Sequence, residues 1–137
     1  GQLKKLNKFI EKRKKNFDYL NKKFKNLEDY FILPQKTKHS NPSWFGFALT
    51  IRDRKRIKRN NLIKFLEEKK IHSRLLFGGN LIKQPYMINR NYKVCGKLDN
   101  TDKILHDTFW LGVFPGLETE MLEFVYENVS KYIKTKV

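Results

Sequence analysis

The side chains best suited to binding chemistry lie between Arg74 and Gln84. An apolar run over residues 75–77 predicts a buried strand, and the glycine pair at 78–79 permits a positive φ angle and the close approach of another group. Arg74 carries a planar guanidinium that suits a carboxylate or a phosphate. The amides of Asn80 and Gln84 can donate and accept hydrogen bonds. Together these groups are typical of one wall of a small-molecule site.

The same stretch has a simpler interpretation, in which a strand, a glycine turn and solvated polar residues bind nothing. A pattern this short is compatible with both interpretations. Trp44 also has two interpretations, because it stands at the start of an aromatic run. Its ring could stack on a ligand, or it could close the core as a hydrophobic plug. The residues alone leave both pairs of alternatives open.

Familiar catalytic motifs are missing from the sequence. It has no Gly-x-Gly-x-x-Gly or Walker loop, no Gly-x-Ser-x-Gly elbow and no zinc-type spacing of cysteine and histidine. We therefore predict that the chain catalyses no reaction alone and holds no metal. The single cysteine, Cys95, gives no disulfide framework and indicates a reducing compartment, which we expect to be the cytoplasm.

Length and composition predict one folded domain. The chain has 137 residues, of which 39% are hydrophobic, which is enough for a modest core. It has no run of about 18 apolar residues, so we expect no membrane span. The formal net charge is +16, which would suit a nucleic acid or an anionic membrane surface. A general lysine bias, or a basic surface that complements an acidic domain outside this sequence, are two further explanations.

Two segments carry much of this charge. Residues 1–27 have apolar side chains three or four positions apart, which predicts one stripe of a long helix with lysines on its other faces. This helix could be a coiled coil, a nucleic-acid-binding arm or a connection between domains, and we favour the connection because a coiled coil needs opposite charges beside its seam. The run from Arg52 to Arg59 has six basic residues and one acidic residue. It could be a solvated loop or a nucleic-acid patch, although no aromatic residue is interleaved for base stacking.

The remaining pattern alternates strands and helices. We predict a loop over residues 26–43, then strands over residues 44–51, 74–77 and 109–114 and helices over residues 60–70, 99–106 and 118–134. This order predicts an α+β fold, with a small antiparallel sheet covered on one face by helices. The long N-terminal helix would lie across the sheet or project from it. We predict two parts, a long connecting helix over residues 1–30 and a small α+β domain over residues 31–137.

Three sequence blocks occur in a fixed order: Asn-Pro-Ser-Trp-Phe-Gly-Phe from Asn41, Ser-Arg-Leu-Leu-Phe-Gly-Gly-Asn from Ser73, and Asp-Thr-Phe-Trp-Leu-Gly-Val-Phe-Pro-Gly from Asp107. In this order they resemble the C-terminal part of the DegT-type sugar aminotransferase family. The resemblance is to its branch of pyridoxal-phosphate-dependent nucleotide-sugar dehydratases, such as the CDP-4-keto-6-deoxyglucose 3-dehydratases and related lipopolysaccharide-biosynthesis proteins. It runs from about Gly1 to the end of the chain. The basic run departs from the family pattern, in which this connection is longer and less basic, so its role stays open.

The resemblance implies that the chain is the small C-terminal domain of a fold-type-I pyridoxal-phosphate enzyme, generally a homodimer, whose coenzyme domain precedes residue 1. Pyridoxal phosphate acts as an electron sink. It would face a lysine in aminotransferases or a histidine in dehydratases, and that residue would lie in the preceding domain. The implied reaction removes the 3-hydroxyl of a nucleotide-linked 4-keto-6-deoxysugar, or transaminates a keto-sugar, in deoxysugar or lipopolysaccharide O-antigen biosynthesis.

The resemblance also implies roles for four residues of this chain. Arg74 would hold an anionic or hydroxyl-rich part of the substrate. Asn80 and Gln84 would bind sugar hydroxyls or orient Arg74, and Trp44 would pack at the edge of the site. No catalytic, cofactor-binding or metal-binding residue is expected here. The alternative from another class of function is a basic nucleic-acid-binding module that uses the first helix and the run from Arg52 to Arg59.

Overall fold

A long helix begins the chain. The computed structural model describes residues 1–136, and its first α-helix, α1, spans Leu6–Phe24 between 3₁₀ turns at Gln2–Lys5 and Lys25–Leu27. This confirms the helix that the apolar spacing predicts over residues 1–27. The stripe is exposed at Leu3 and Leu6 and buried at Phe17, Leu20, Phe24 and Leu27. The helix therefore packs on the rest of the chain through its second half.

Four short strands form one sheet. They are β1 at Phe31–Ile32, β2 at Gly46–Ile51, β3 at Ser73–Leu75 and β4 at Thr108–Gly112. The strand order is β1-β2-β4-β3, and every neighbouring pair is antiparallel. Side chains alternate between the two faces along each strand. One face therefore gathers the strand side chains that are at most 1% exposed, which are Phe31, Phe47, Leu49, Ile51, Phe109 and Leu111.

Helices cover this buried face. They are α1 together with α2 at Arg59–Glu68 and α4 at Thr119–Lys134, whose apolar residues join one core cluster with the inward side chains of β2 and β4. Burying a Leu or Phe side chain contributes about 1.5–3 kcal/mol, so this cluster is the main stabilising feature. The predicted α+β class, with a small antiparallel sheet covered on one face, is confirmed. No helix described in residues 1–136 has the length and apolar character needed to span a membrane.

The helix α3, at Asp99–Asp107, leads directly into β4 and lies where β2 ends. Its Lys103 Nζ donates hydrogen bonds to the backbone oxygens of Ile51 at 2.8 Å and Arg52 at 3.0 Å. The helices predicted over residues 60–70, 99–106 and 118–134 and the strands predicted over residues 44–51 and 109–114 are confirmed, with ends shifted by at most two residues. The division into parts at residue 30 stays a prediction.

Two strand predictions differ from the structure. The buried strand predicted over residues 75–77 is wrong, because β3 ends at Leu75, which is 50% exposed, and Phe77 is 80% exposed. β3 is an edge strand with a neighbour on one side only, and the chain leaves the sheet after Leu75. The strand β1 was missed within the predicted loop, since two residues beside Pro34 are too few to show an alternating pattern.

The glycine turn after β3 is docked against α3. Gly79 has a φ angle of +58°, a left-handed conformation that costs an L side chain about 1–2 kcal/mol. A Cβ atom at this position would lie 2.6 Å from Leu105 Cδ1 and 2.9 Å from Leu105 Cα. The Cα atom of a helix residue cannot yield without moving the helix, so the close packing of the turn on α3 requires glycine.

A polar cluster joins α1 to α4 outside the core. Glu123 on α4 accepts hydrogen bonds from the hydroxyl of Tyr19 and from Lys23 Nζ, the second at 2.8 Å. Lys23, followed by Tyr19, holds the pKa of Glu123 below its usual range. A carboxyl whose pKa is lowered by folding stabilises the fold when it is ionised. This contribution is present above the pKa of the unfolded chain and is lost as the pH falls through the folded-state pKa.

We expect Gly79→Ala to lower the free energy of unfolding by about 2 kcal/mol or more, from backbone strain and from crowding against Leu105. Gly96→Ala is the matched control, because Gly96 also has a positive φ angle of +76° but has no atom within 4 Å of its Cβ position. Urea denaturation of both variants measures the difference. Equal losses of stability would contradict the steric role of Leu105.

We expect Glu123→Gln to destabilise the protein more at pH 7 than at pH 3, because only the ionised carboxylate of the wild type gains from Lys23. Urea denaturation at pH 7, 5 and 3 measures the difference in free energy of unfolding between wild type and variant. This difference should become smaller as the pH falls. Glu127→Gln on the same helix is the control, since Glu127 is exposed and has no ion pair within residues 1–136. A difference in free energy of unfolding that does not change with pH would refute a stabilising role of the ionised Glu123 carboxylate.

Candidate substrate-binding site

The face of the sheet opposite the helices carries a row of three paired residues. Arg74 on β3 pairs with Trp110 on β4, and Trp110 pairs with Ala48 on β2. Directly opposed residues in antiparallel strands point to the same face, so these side chains stand side by side. Arg74 is exposed, and no hydrogen bond or ion pair engages its guanidinium within the described residues 1–136. The guanidinium is therefore available to an anion.

Asn80 is buried, at 2% exposure, and its amide is used within the protein. Its Nδ2 donates to Asp102 Oδ1 at 2.6 Å, and its Oδ1 accepts from the backbone N–H of Ile82 at 3.2 Å. Lys83 Nζ lies 2.6 Å from the other oxygen of Asp102. Lys83, followed by Asn80, holds the pKa of Asp102 below its usual range. Asn80 therefore fixes the glycine turn to α3.

Gln84 holds the same turn from its far end. Its Nε2 donates to the backbone oxygen of Gly78 at 2.6 Å, and the side chain is half-buried. Because Gly78 directly precedes the left-handed Gly79, this bond restrains the turn just after β3. Gln84 and Asn80 thus act on one short segment, which begins three residues beyond Leu75, the last residue of β3.

Trp44 packs as part of the core boundary. Its ring stacks on Phe17 of α1, with ring centroids 3.8 Å apart and planes inclined by 5°. Arg13 on α1 donates a hydrogen bond to the Trp44 backbone oxygen at 3.0 Å. These contacts match the plug interpretation of this residue. The side chain nevertheless remains partly exposed and also borders a hollow on the open face of the sheet.

The hollow on the open face has a volume of about 250 Å³ and lies beside the row that contains Arg74. It is lined mainly by apolar and aromatic residues, which are Trp44, Phe45, Gly46, Ala48, Leu76, Phe77 and Trp110. The rings of Phe45, Phe77 and Trp110 were not predicted as site residues. A signal for Trp110 was present, because its neighbours Phe109 and Leu111 point inward and the residue between them must point outward.

The four predicted site residues thus have different surroundings. Asn80 and Gln84 are brought together around the glycine turn. Trp44 borders the hollow on the open face of the sheet. Of the four, Arg74 is the one whose polar group is exposed and has no partner among the described residues 1–136. The arrangement offers a cationic fork beside an aromatic hollow, with a turn fixed by two amides next to it.

The basic run is used inside the fold. Arg52 Nε donates to the backbone oxygen of Glu28 at 2.6 Å, and Arg54 lies 3.0 Å from the buried carboxylate of Asp107. Arg59 donates to the backbone oxygen of Leu105 at 2.5 Å, and burial lowers the pKa of its guanidinium. These contacts tie the basic run to α3 and to the segment before β1.

A second and larger cavity, of about 640 Å³, lies away from this site between α4 and the β3 side of the sheet. Its lining includes Phe114, Met121 and Phe124, all of them exposed. None of the four predicted site residues contributes to it.

The sequence was compared with known proteins. Residues 1–130 match the profile of the DegT/DnrJ/EryC1/StrS aminotransferase family. The chain is 48% identical, over 96% of its length, to the lipopolysaccharide biosynthesis protein RfbH of Salmonella typhimurium, and it covers 30% of that protein. It is 38% identical, over 97% of its length, to the dTDP-4-dehydro-2,6-dideoxy-D-glucose 3-dehydratase of Saccharopolyspora spinosa, covering 29% of it. The chain therefore spans about 30% of the length of these relatives.

The fold was compared with solved structures. The structure of Escherichia coli GDP-4-keto-6-deoxy-D-mannose-3-dehydratase with bound hydrated pyridoxal phosphate superposes with a TM-score of 0.83 and 29% sequence identity, over 93% of this chain and 32% of that one. The same fold occurs in the DesV protein of S. venezuelae, with a TM-score of 0.82, 16% identity, and coverage of 97% of this chain and 34% of that one. With a family match over residues 1–130, this chain belongs to the DegT/DnrJ/EryC1/StrS aminotransferase family.

Proposed function

We propose that this chain is the small C-terminal domain of a pyridoxal-phosphate-dependent nucleotide-sugar 3-dehydratase that acts in deoxysugar or lipopolysaccharide biosynthesis. The observation that carries the proposal is the 48% identity to the RfbH protein over nearly the whole chain. Two further relatives named as 3-dehydratases, at 38% and 33% identity, support the dehydratase branch over the aminotransferases. The substrate would be a nucleotide-linked keto-deoxysugar, and the enzyme would work as a homodimer. The free, exposed thiol of Cys95 suits a reducing compartment such as the cytoplasm.

The residues of this chain do not fit a complete pyridoxal-phosphate pocket. Such a pocket needs a lysine or histidine facing the coenzyme ring and an enclosed set of phosphate donors. Within residues 1–136 no lysine or histidine is buried, and the three histidines are all exposed. We assign the coenzyme mainly to the part of the full-length enzyme outside these residues, and to this chain one rim of the substrate pocket.

Arg74 is the residue of this rim that would bind the substrate. A nucleotide-linked sugar carries phosphate groups, and a guanidinium can bind phosphate oxygens through two parallel hydrogen bonds. Asn80 and Gln84 would orient Arg74, because their amides hold the turn that follows the strand carrying Arg74. Trp44 would pack at the edge of the pocket, where it borders the aromatic hollow.

We expect Arg74→Ala in the full-length enzyme to raise KM for the nucleotide sugar at least tenfold, or to abolish turnover, while the protein still folds. Loss of a charge-assisted hydrogen bond costs about 1.5–3 kcal/mol. The fold should be kept, because the Arg74 guanidinium makes no hydrogen bond or ion pair within residues 1–136. Steady-state kinetics measure the effect, and circular dichroism checks the fold. Arg74→Lys should recover only part of the activity, because the ammonium lacks the planar fork.

Lys64→Ala is the matched control for the loss of one positive charge, since Lys64 is exposed on α2, in the helix layer over the opposite face of the sheet. Normal kinetics in Arg74→Ala, or an equal loss in Lys64→Ala, would remove Arg74 from the site. A full-length protein that turns over no nucleotide sugar would refute the proposed function itself.

A further inference from the structure

The hollow on the open face is surrounded by aromatic rings that remain in contact with solvent. The centroids of the Phe45 and Trp110 rings lie 4.9 Å apart, with planes inclined by 52°. Phe45 is 64% exposed and Phe77 is 80% exposed. Exposed π faces around a concavity can stack on a planar ring, and such stacking tolerates different bases because every base has a π face.

The position of Trp110 depends on a glycine, Gly46, in the neighbouring strand β2. A Cβ atom at Gly46 would lie 2.2 Å from Cε3 of the Trp110 ring. The indole therefore rests directly on the backbone of β2, which a side chain at this position would prevent. This contact sets the indole close against the sheet, where it lines the hollow.

Phe77 is held in a conformation that a bulky residue seldom adopts. Its φ angle is +47°, which is costly for an L residue other than glycine. The segment that carries it is restrained by the Gln84 bond to Gly78 and by the Asn80 bond to Asp102. Strain of this kind persists only where the surroundings enforce it, and it is concentrated at ligand clamps and active sites. Here it presents a ring to solvent, so core packing is not the reason for it.

We propose that the hollow between Phe45, Phe77 and Trp110 binds the nucleobase of the nucleotide-linked substrate, with Arg74 beside it for the phosphates. Its volume of about 250 Å³ is below the roughly 300–1,000 Å³ of sites that enclose a whole drug-sized ligand, so it fits one ring system. Arg74 neighbours Trp110 in the same row, which places a cation next to the ring site. A nucleotide combines these two features, a planar ring and anionic phosphates, and the proposed substrate contains one. The inference rests on the proposed function and adds the part of the substrate that this chain recognises.

The test is a titration of the ¹⁵N-labelled 137-residue chain with GDP, CDP and dTDP, followed by NMR. The chain has two tryptophans and therefore two indole N–H signals, which Trp44→Phe assigns. We expect each nucleoside diphosphate to shift the Trp110 indole signal. Inorganic pyrophosphate, which has the charge without the base, should shift it little, and this separates base binding from general attraction of anions to a chain of net charge +16.

Phe77→Ser should raise the Kd for a nucleoside diphosphate about tenfold or more, the range expected for losing one stacked ring. Phe114→Ser is the matched control, because Phe114 is equally a solvent-exposed phenylalanine, at 64%, but lines the larger cavity beside α4. Its Kd should be unchanged. Equal Kd values for pyrophosphate and nucleoside diphosphates, or an unchanged Kd in Phe77→Ser, would overturn the inference.

The same variants in the full-length enzyme separate this inference from the proposed function. If the full-length enzyme turns over a nucleotide sugar but binds GDP, CDP and dTDP equally well with and without Phe77, the nucleobase site is refuted and the proposed function stands. This measurement also decides the case in which the chain alone binds no nucleotide. A change in oligomeric state in Phe45→Ser and Phe77→Ser, without any change in nucleotide binding, would identify the rings as a protein interface instead.

Discussion

Side chains alternate between the two faces of the β2–β4 pair, and the rest of the structure depends on this alternation. The helices bury one face, because the inward residues of these strands can leave water only against α1, α2 and α4. The residues between them must then point the other way. Ala48, Trp110 and Arg74 form their row for this reason. The open face that carries Arg74 is thus a direct consequence of how the core is packed.

Polar pairs hold the segments that the sheet and the core do not reach. Buried polar groups cost free energy unless they are hydrogen-bonded, so each pair fixes a particular arrangement. Asn80 with Asp102 fixes the glycine turn to α3. The carboxylate of Asp107, at 2% exposure, lies near both Arg54 and Lys103. The basic run therefore has a use within the fold, and its charge does not by itself require a polyanionic partner.

Local patterns in the sequence predicted most of the fold. Apolar spacing located α1, α2 and α4, polar capping residues at 99–102 located α3, and β-branched and aromatic residues located β2 and β4, because those signals are local. The solvent-exposed edge strand β3 was taken for a buried one, since an apolar run carries no information on how many neighbours a strand has. The site was predicted less well. The role of Arg74 stays a prediction, and the hollow joins Phe45, Phe77 and Trp110 from three segments that only the folded sheet brings together.

Both edges of the sheet are short. β1 has two residues and β3 has three, so each outer edge offers few free backbone N–H and C=O groups to an incoming chain. Long, flat, apolar edges recruit strands from other molecules and promote aggregation. Here the glycine turn bends the chain away from the sheet directly after β3, and Arg74 adds a charge to that edge. Short outer strands, one of them ended by a turn and carrying a charge, oppose such recruitment in a domain with exposed aromatic rings.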